Sequence, residues 1–246
     1  MKRNNWQIML GIALVALSAV VYLIHFIVFR NPHHIFIYLV GDLAFVFIEV
    51  LLVTLIIHSL LSMREKRARL EKLNMLIGVF FSEMGTRLLV YFSDCDPNLD
   101  KIKKDLIVTA HWSEGEFNRV FNRLKTYDYG VDIKKVDMVR LRDFLKGTSD
   151  FLLRLLENPN LLEHESFTEL LRAVFHLDEE LANRKKLTKL SEVDSQHLAG
   201  DIKRAYSSLV YEWLDYMRYL KNNYPYLFSL AMRINPFDEE ASPEFR

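Results

Sequence analysis

WQIMLGIALVALSAVVYLIHFIVF, Trp6 to Phe29, is a run of 24 positions without Lys, Arg, Asp or Glu. As a helix rising about 1.5 Å per residue it exceeds the roughly 30 Å hydrocarbon thickness of a bilayer. The polar turn Arg30-Asn31-Pro32-His33-His34 follows. IFIYLVGDLAFVFIEVLLVTLIIHSLL, Ile35 to Leu61, is a second apolar run of 27 residues, interrupted only by Asp42, Glu49 and His58. So short a connection makes two spans antiparallel neighbours. The expectation is a transmembrane helical hairpin over residues 1–62, with spans at about 6–29 and 35–61.

The flanks orient it. Lys2 and Arg3 precede the first span; Arg64, Lys66, Arg67, Arg69 and Lys72 follow the second; the turn carries Arg30 alone. The positive-inside rule then puts both termini in the cytoplasm of an inner or plasma membrane, with lipid as the first partner. Trp6 and Tyr38 fit interfacial belts, and His58 sits near the inner boundary. A cleaved signal peptide ending near Ala16-Leu17-Ser18 is disfavoured, because the apolar run continues eleven residues past Ser18. Met75 to Phe92 is also apolar enough to suggest a third span, but Glu83 and Arg87 argue against it.

Asp42 and Glu49 are seven residues apart, two helical turns, and share a face. Counting outward from the turn sets Tyr22 and His25 of the first span opposite Asp42, with Ser18 near the level of Glu49. Two explanations compete: interhelical hydrogen bonds that fix a register or an oligomer, and a proton or cation path through an oligomer. The turn is too short for a re-entrant filter loop.

Beyond residue 62 the apolar spacing is helical, so the chain as a whole reads as all-α. Leu70, Leu73, Ile77, Phe80 and Met84 step by 3, 4, 3, 4, a coiled-coil-like seam on a membrane-proximal connecting helix over 63–96. An ordinary amphipathic helix packed on its own domain has the same spacing. A cytoplasmic multi-helix domain is expected over 97–237. Ser113 with Glu116 and Ser166 with Glu169 read as capping boxes, Asp132 as the start of a long helix, and Ser191 as the start of the last long one. Residues 238–246 read as a disordered acidic tail.

Composition narrows the function. Lys+Arg and Asp+Glu balance at 32 each, which leaves no net positive field for a nucleic-acid partner. One cysteine, Cys95, excludes an intrachain disulfide framework and a multi-cysteine zinc site. No glycine-rich phosphate loop and no Gly-x-Ser-x-Gly elbow is present, so no catalytic residue and no cofactor is assigned. One constellation carries chemistry. His176 precedes Glu179 and Glu180, and Asp194 precedes His197, at spacings that share a helix face. Paired helices that present His and carboxylates this way build metal sites in bundles, although the full set of ligands is missing and surface His/Glu pairs are common. Asp194 and Asp201 read as solvent-facing. The aromatic-rich stretch from Tyr211 to Phe228 fits either a docking face or an ordinary half-buried helix. The expected role is a membrane-anchored, non-enzymatic module for protein interaction, scaffolding or signal relay, with self-association and an unidentified protein partner. The alternatives are an oligomeric ion or proton transporter using Asp42 and Glu49, and a metal-binding helical enzyme using His176 and His197.

Overall fold

The computed structural model describes residues 5–161 and 164–244. Among these residues it is built of helices and turns, with no strand. The chain divides into two compact units at Lys66/Arg67.

The first unit holds α1, Asn5–Phe29, and most of α2, Pro32–Phe80. Arg30 ends α1 in the left-handed region (φ 45°), its N–H donating to the Phe26 carbonyl at 2.9 Å. That is the αL helix stop, made here by Arg where Gly or Asn is usual. Pro32 follows at the first position of α2, where its missing N–H costs nothing. Both helices are long and apolar enough to cross a membrane, by length and composition, and none of the apolar windows that qualify them is buried. Asp42, Glu49, Ser18 and Tyr22 are exposed, and no hydrogen bond or ion pair reaches any of the four among the described residues. The His25 ring lies 4.7 Å from that of Phe29 on the same helix. The side chain of Trp6 lies outside the described residues.

The second unit begins on the last turns of α2. It continues through a π-turn, Phe81–Gly85, into α3, Thr86–Asp94. Two 3₁₀ turns, Leu99–Lys101 and Lys103–Leu106, lead to α4, Glu114–Thr126. Then come α5, Met138–Leu156, α6, Glu165–Ala182, α7, Glu192–Asn223, and α8, Pro225–Arg233. The 32-residue α7 is the axis of the unit, packing against α3, α4, α6 and α8. Its buried stripe of Leu198, Ile202, Ala205, Leu209, Trp213 and Leu220 follows helical spacing. Phe80 meets Phe167 of α6 edge-on at 5.3 Å, and Phe81 stacks on Tyr216 of α7 at 5.5 Å. Gly85 is required there: a Cβ would lie 2.7 Å from the Phe80 ring and 2.8 Å from that of Phe81.

These contacts correct several expectations. Leu73, Ile77, Phe80 and Met84 are buried in the core of their own unit, and Leu70 is about half exposed, so the seam is not available to a second copy. From Leu73 on, the segment expected as a connector feeds the core of the second unit: Met75 to Phe92 contributes Ile77, Phe80, Phe81, Leu88, Leu89 and Phe92, which are buried in protein rather than free to face lipid as in a third span. The helix expected from Asp132 starts at Met138, because Asp137 caps it by accepting from the Val139 and Arg140 N–H groups. α6 is capped by His164, whose Nδ1 accepts from Phe167 N–H at 3.2 Å, rather than by Ser166. Ser113 does close a capping box with Glu116, and Ser191 does cap α7. Residues 238–244 are folded back: Ser242 N–H donates to Arg233 O, Glu239 pairs with Lys103, and the neighbouring Phe237 is buried against Trp213. Residues 245–246 lie outside the described part of that segment.

Candidate functional site

α6 and α7 are consecutive, antiparallel and joined by residues 183–191. His176 lies six residues before the end of α6, and His197 five residues after the start of α7. At about 1.5 Å per residue these positions are level across the hairpin. One turn further along α7, at i+4 from His197, is Asp201.

The three converge. Asp201 Oδ2 is 3.2 Å from His197 Nε2 and 3.6 Å from His176 Nε2, and all three candidate ligand atoms lie within 4.8 Å of one another. Asp201 is only 3% exposed, whereas the imidazoles are close to half exposed. Its other oxygen, Oδ1, is held by Arg204 at 3.4 Å. Oδ2 is buried and accepts no hydrogen bond. A buried carboxylate oxygen without a donor is costly unless a charge or a ligand compensates it.

Glu180 completes a ring of groups. Its oxygens lie 4.0 Å from His176 Nε2 and 3.6 Å from His197 Nε2. Arg184, one turn on, pairs with Glu180 and is the main reason its carboxyl stays ionised well below the usual range. Asp194 is turned to Arg184, at 3.7 Å, and to Ser191, which donates to it at 2.6 Å. Glu179 is exposed and stands outside the cluster. Of the five residues the sequence singles out for a metal, the fold brings together His176, His197 and Glu180. It leaves out Glu179 and Asp194 and adds Asp201, which the sequence reads as solvent-facing.

Two further polar features lie elsewhere in the unit. Asp96, buried between α3 and the loop after α4, accepts from Tyr127 Oη at 2.6 Å, Asn98 N–H at 2.9 Å and Gly130 N–H at 3.2 Å, which pins that loop. Burial and this carboxylate hold the Tyr127 hydroxyl in its protonated form far into the alkaline range. Glu212 of α7 is 2% exposed and lines a cavity of about 440 Å³ with Ser166, Ser208 and Tyr211. Burial pushes its carboxyl up to about 7; the Ser166 hydroxyl opposes that rise and the charge of Asp215 adds to it. Helical spacing alone marks neither Asp201 nor Glu212, since each sits at the margin of the apolar stripe of α7.

Comparison with known proteins places the whole architecture in one group. Residues 2–61 match a family profile described as the N-terminal helical domain of MJ1433, and residues 69–233 one described as the C-terminal helical domain of uncharacterized protein MJ1433. That protein, from Methanocaldococcus jannaschii, is 45% identical over 241 residues, covering 98% of this chain and 97% of its own length. No solved structure matches.

Proposed function

The chain belongs to the MJ1433 family, and we propose that it is a membrane-anchored, self-associating helical module. In this proposal α1 and the apolar part of α2 lie in the bilayer, and the unit from Arg67 onward is a cytoplasmic interaction and relay domain. One observation carries it: two helices with windows of mean hydropathy 2.6 and 2.5 have no buried side chain in those windows, while the second unit has a full core of its own. Each large apolar side chain left in water forgoes about 1.5–3 kcal/mol. Dozens of them in series favour a non-aqueous surrounding for α1 and the apolar part of α2. A soluble core helix with this composition would be buried, and a signal sequence would account for α1 but not α2. The basic residues Arg64, Lys66, Arg67, Arg69 and Lys72 support the cytoplasmic side for the domain.

Self-association is supported by Asp42 and Glu49. Both lie on one face of an apolar helix without a partner among the described residues. Carboxyls in hydrocarbon pair with protein groups or face water. A second copy supplies such a partner, in place of the seam on residues 70–84 that the domain core consumes. The test is the oligomeric state of the full chain in mild detergent. The wild type should run as an oligomer, and Asp42→Leu with Glu49→Leu should shift it toward monomer. A wild type that is monomeric at every detergent ratio contradicts the self-association.

A further inference from the structure

We infer that His176, His197, Asp201 and Glu180 form a binding site for one divalent first-row transition-metal ion, of the zinc type. The site is independent of the membrane reading, since it lies wholly within the second unit.

Geometry makes the first part of the case. Zinc binds imidazole nitrogen and carboxylate oxygen at about 2.0–2.2 Å, so a tetrahedral set has ligand-to-ligand edges of about 3.4 Å. Asp201 Oδ2 lies 3.2 and 3.6 Å from the two imidazole Nε2 atoms, on either side of that edge, and these three ligand atoms lie within 4.8 Å of one another; Glu180 faces His197 and His176 through different oxygens, at 3.6 and 4.0 Å. The His197/Asp201 pair comes from one face of α7, and the His176/Glu180 pair, also i, i+4, from one face of α6. His176, His197 and Asp201 thus converge on a common centre, with the Glu180 carboxylate beside it as the fourth candidate ligand. That set suits zinc and its neighbours in the first transition row, which imidazole favours, over magnesium or calcium, which prefer oxygen.

The second part of the case is the state of Asp201. Its carboxylate is buried, is anchored through Oδ1 by Arg204, and directs an oxygen with no hydrogen-bond donor between the two imidazoles. This is the arrangement of a ligand with an outer partner that fixes its orientation. Two imidazoles and one unsatisfied carboxylate oxygen facing one another are poorly explained as a surface salt bridge. Such a pair would be exposed and would contribute about 0–1 kcal/mol. A cation among them compensates the buried oxygen. Two carboxylates also neutralise a divalent charge.

Glu180 is the exchangeable member. Without metal it pairs with Arg184. To ligate, it releases Arg184, which keeps Asp194 as a partner. Metal binding and the Glu180–Arg184 pair therefore compete. The same exchange touches the start of the 183–191 connection, because Arg184 is its second residue.

The test uses the full chain in detergent, stripped of metal and titrated with Zn²⁺ alone and with Co²⁺ alone as a spectroscopic probe. The expected result is one ion per chain, with the strong visible absorption of tetrahedral Co²⁺ abolished by adding Zn²⁺. His176→Ala and His197→Ala should each weaken binding by more than the roughly 10–100-fold that loss of an outer partner costs. Both side chains are about half exposed, so these variants should keep the helical circular dichroism of the wild type. Arg204→Ala should weaken binding by roughly 10–100-fold, as an outer partner. Arg184→Ala should tighten it by freeing Glu180. Failure of the wild type to bind either ion stoichiometrically overturns the proposal, as does undiminished binding by the folded double variant His176→Ala/His197→Ala. Unchanged or weaker binding in Arg184→Ala removes Glu180 from the ligand set.

Discussion

Glu212 gives the clearest single-residue consequence of burial. Its carboxyl is raised from the ordinary 4.5 to about 7, chiefly by burial. Below pH 4.5 it is protonated in the folded and the unfolded chain alike. Between 4.5 and 7 the unfolded chain ionises first, so the folded state loses stability as pH rises. Above about 7 the cost is complete, on the order of 3 kcal/mol. Glu212→Gln should remove this dependence. Thermal unfolding as a function of pH should show the wild type losing stability from pH 4.5 to 7 relative to the variant, with the variant the more stable at pH 8. Parallel profiles would show that Glu212 does not titrate in that window. At this scale the sequence is only partly informative. His176 and His197 are visible because imidazole is rare and its i, i+3 and i, i+4 partners can be counted. Asp201 is misjudged because it lies three residues from Leu198 and beside Ile202, on the edge of the α7 stripe. Whether an edge position is wet or dry depends on what α6 places over it, and that is decided by the 183–191 connection rather than by α7 itself.

The end of α2 shows the same limit for a whole element. Leu73, Ile77, Phe80 and Met84 have the spacing of a self-association seam, and the spacing is correct, but it does not say which surface the stripe meets. Phe80 is fully buried against Phe167, and Ile77 is 3% exposed. Phe80→Asp should therefore unfold the domain rather than dissociate an oligomer, at a cost of about 3–5 kcal/mol from the lost aromatic burial and more from the charge. The check is circular dichroism and thermal unfolding beside oligomer size. A variant that stays fully folded but becomes monomeric would return the seam to the interface between copies. Element existence is well marked in this chain, because α4, α6 and α7 carry long apolar periods. Their starts are less so. Asp137 and His164 cap helices whose sequence pattern points to Asp132 and Ser166, since several residues near each start have side chains able to accept from a free N–H, and only the local turn selects one.

At the scale of the molecule, the sequence's strongest statement is also the simplest. The two apolar runs, of 24 and 27 residues, form helices whose apolar windows are unburied, and the unit from Arg67 onward has a hydrophobic core of its own. The acidic end is the exception: Asn235 and Phe237 are buried there, and Asn235 Nδ2 donates to Leu106 O at 2.9 Å, a long-range tie that composition does not betray. The most direct measurement is extraction of membranes that contain the full chain, first with high salt and then with alkaline carbonate. A membrane-embedded hairpin should keep the chain in the pellet through both washes and release it only with detergent. A chain recovered in the supernatant of either wash, folded and without detergent, would contradict it.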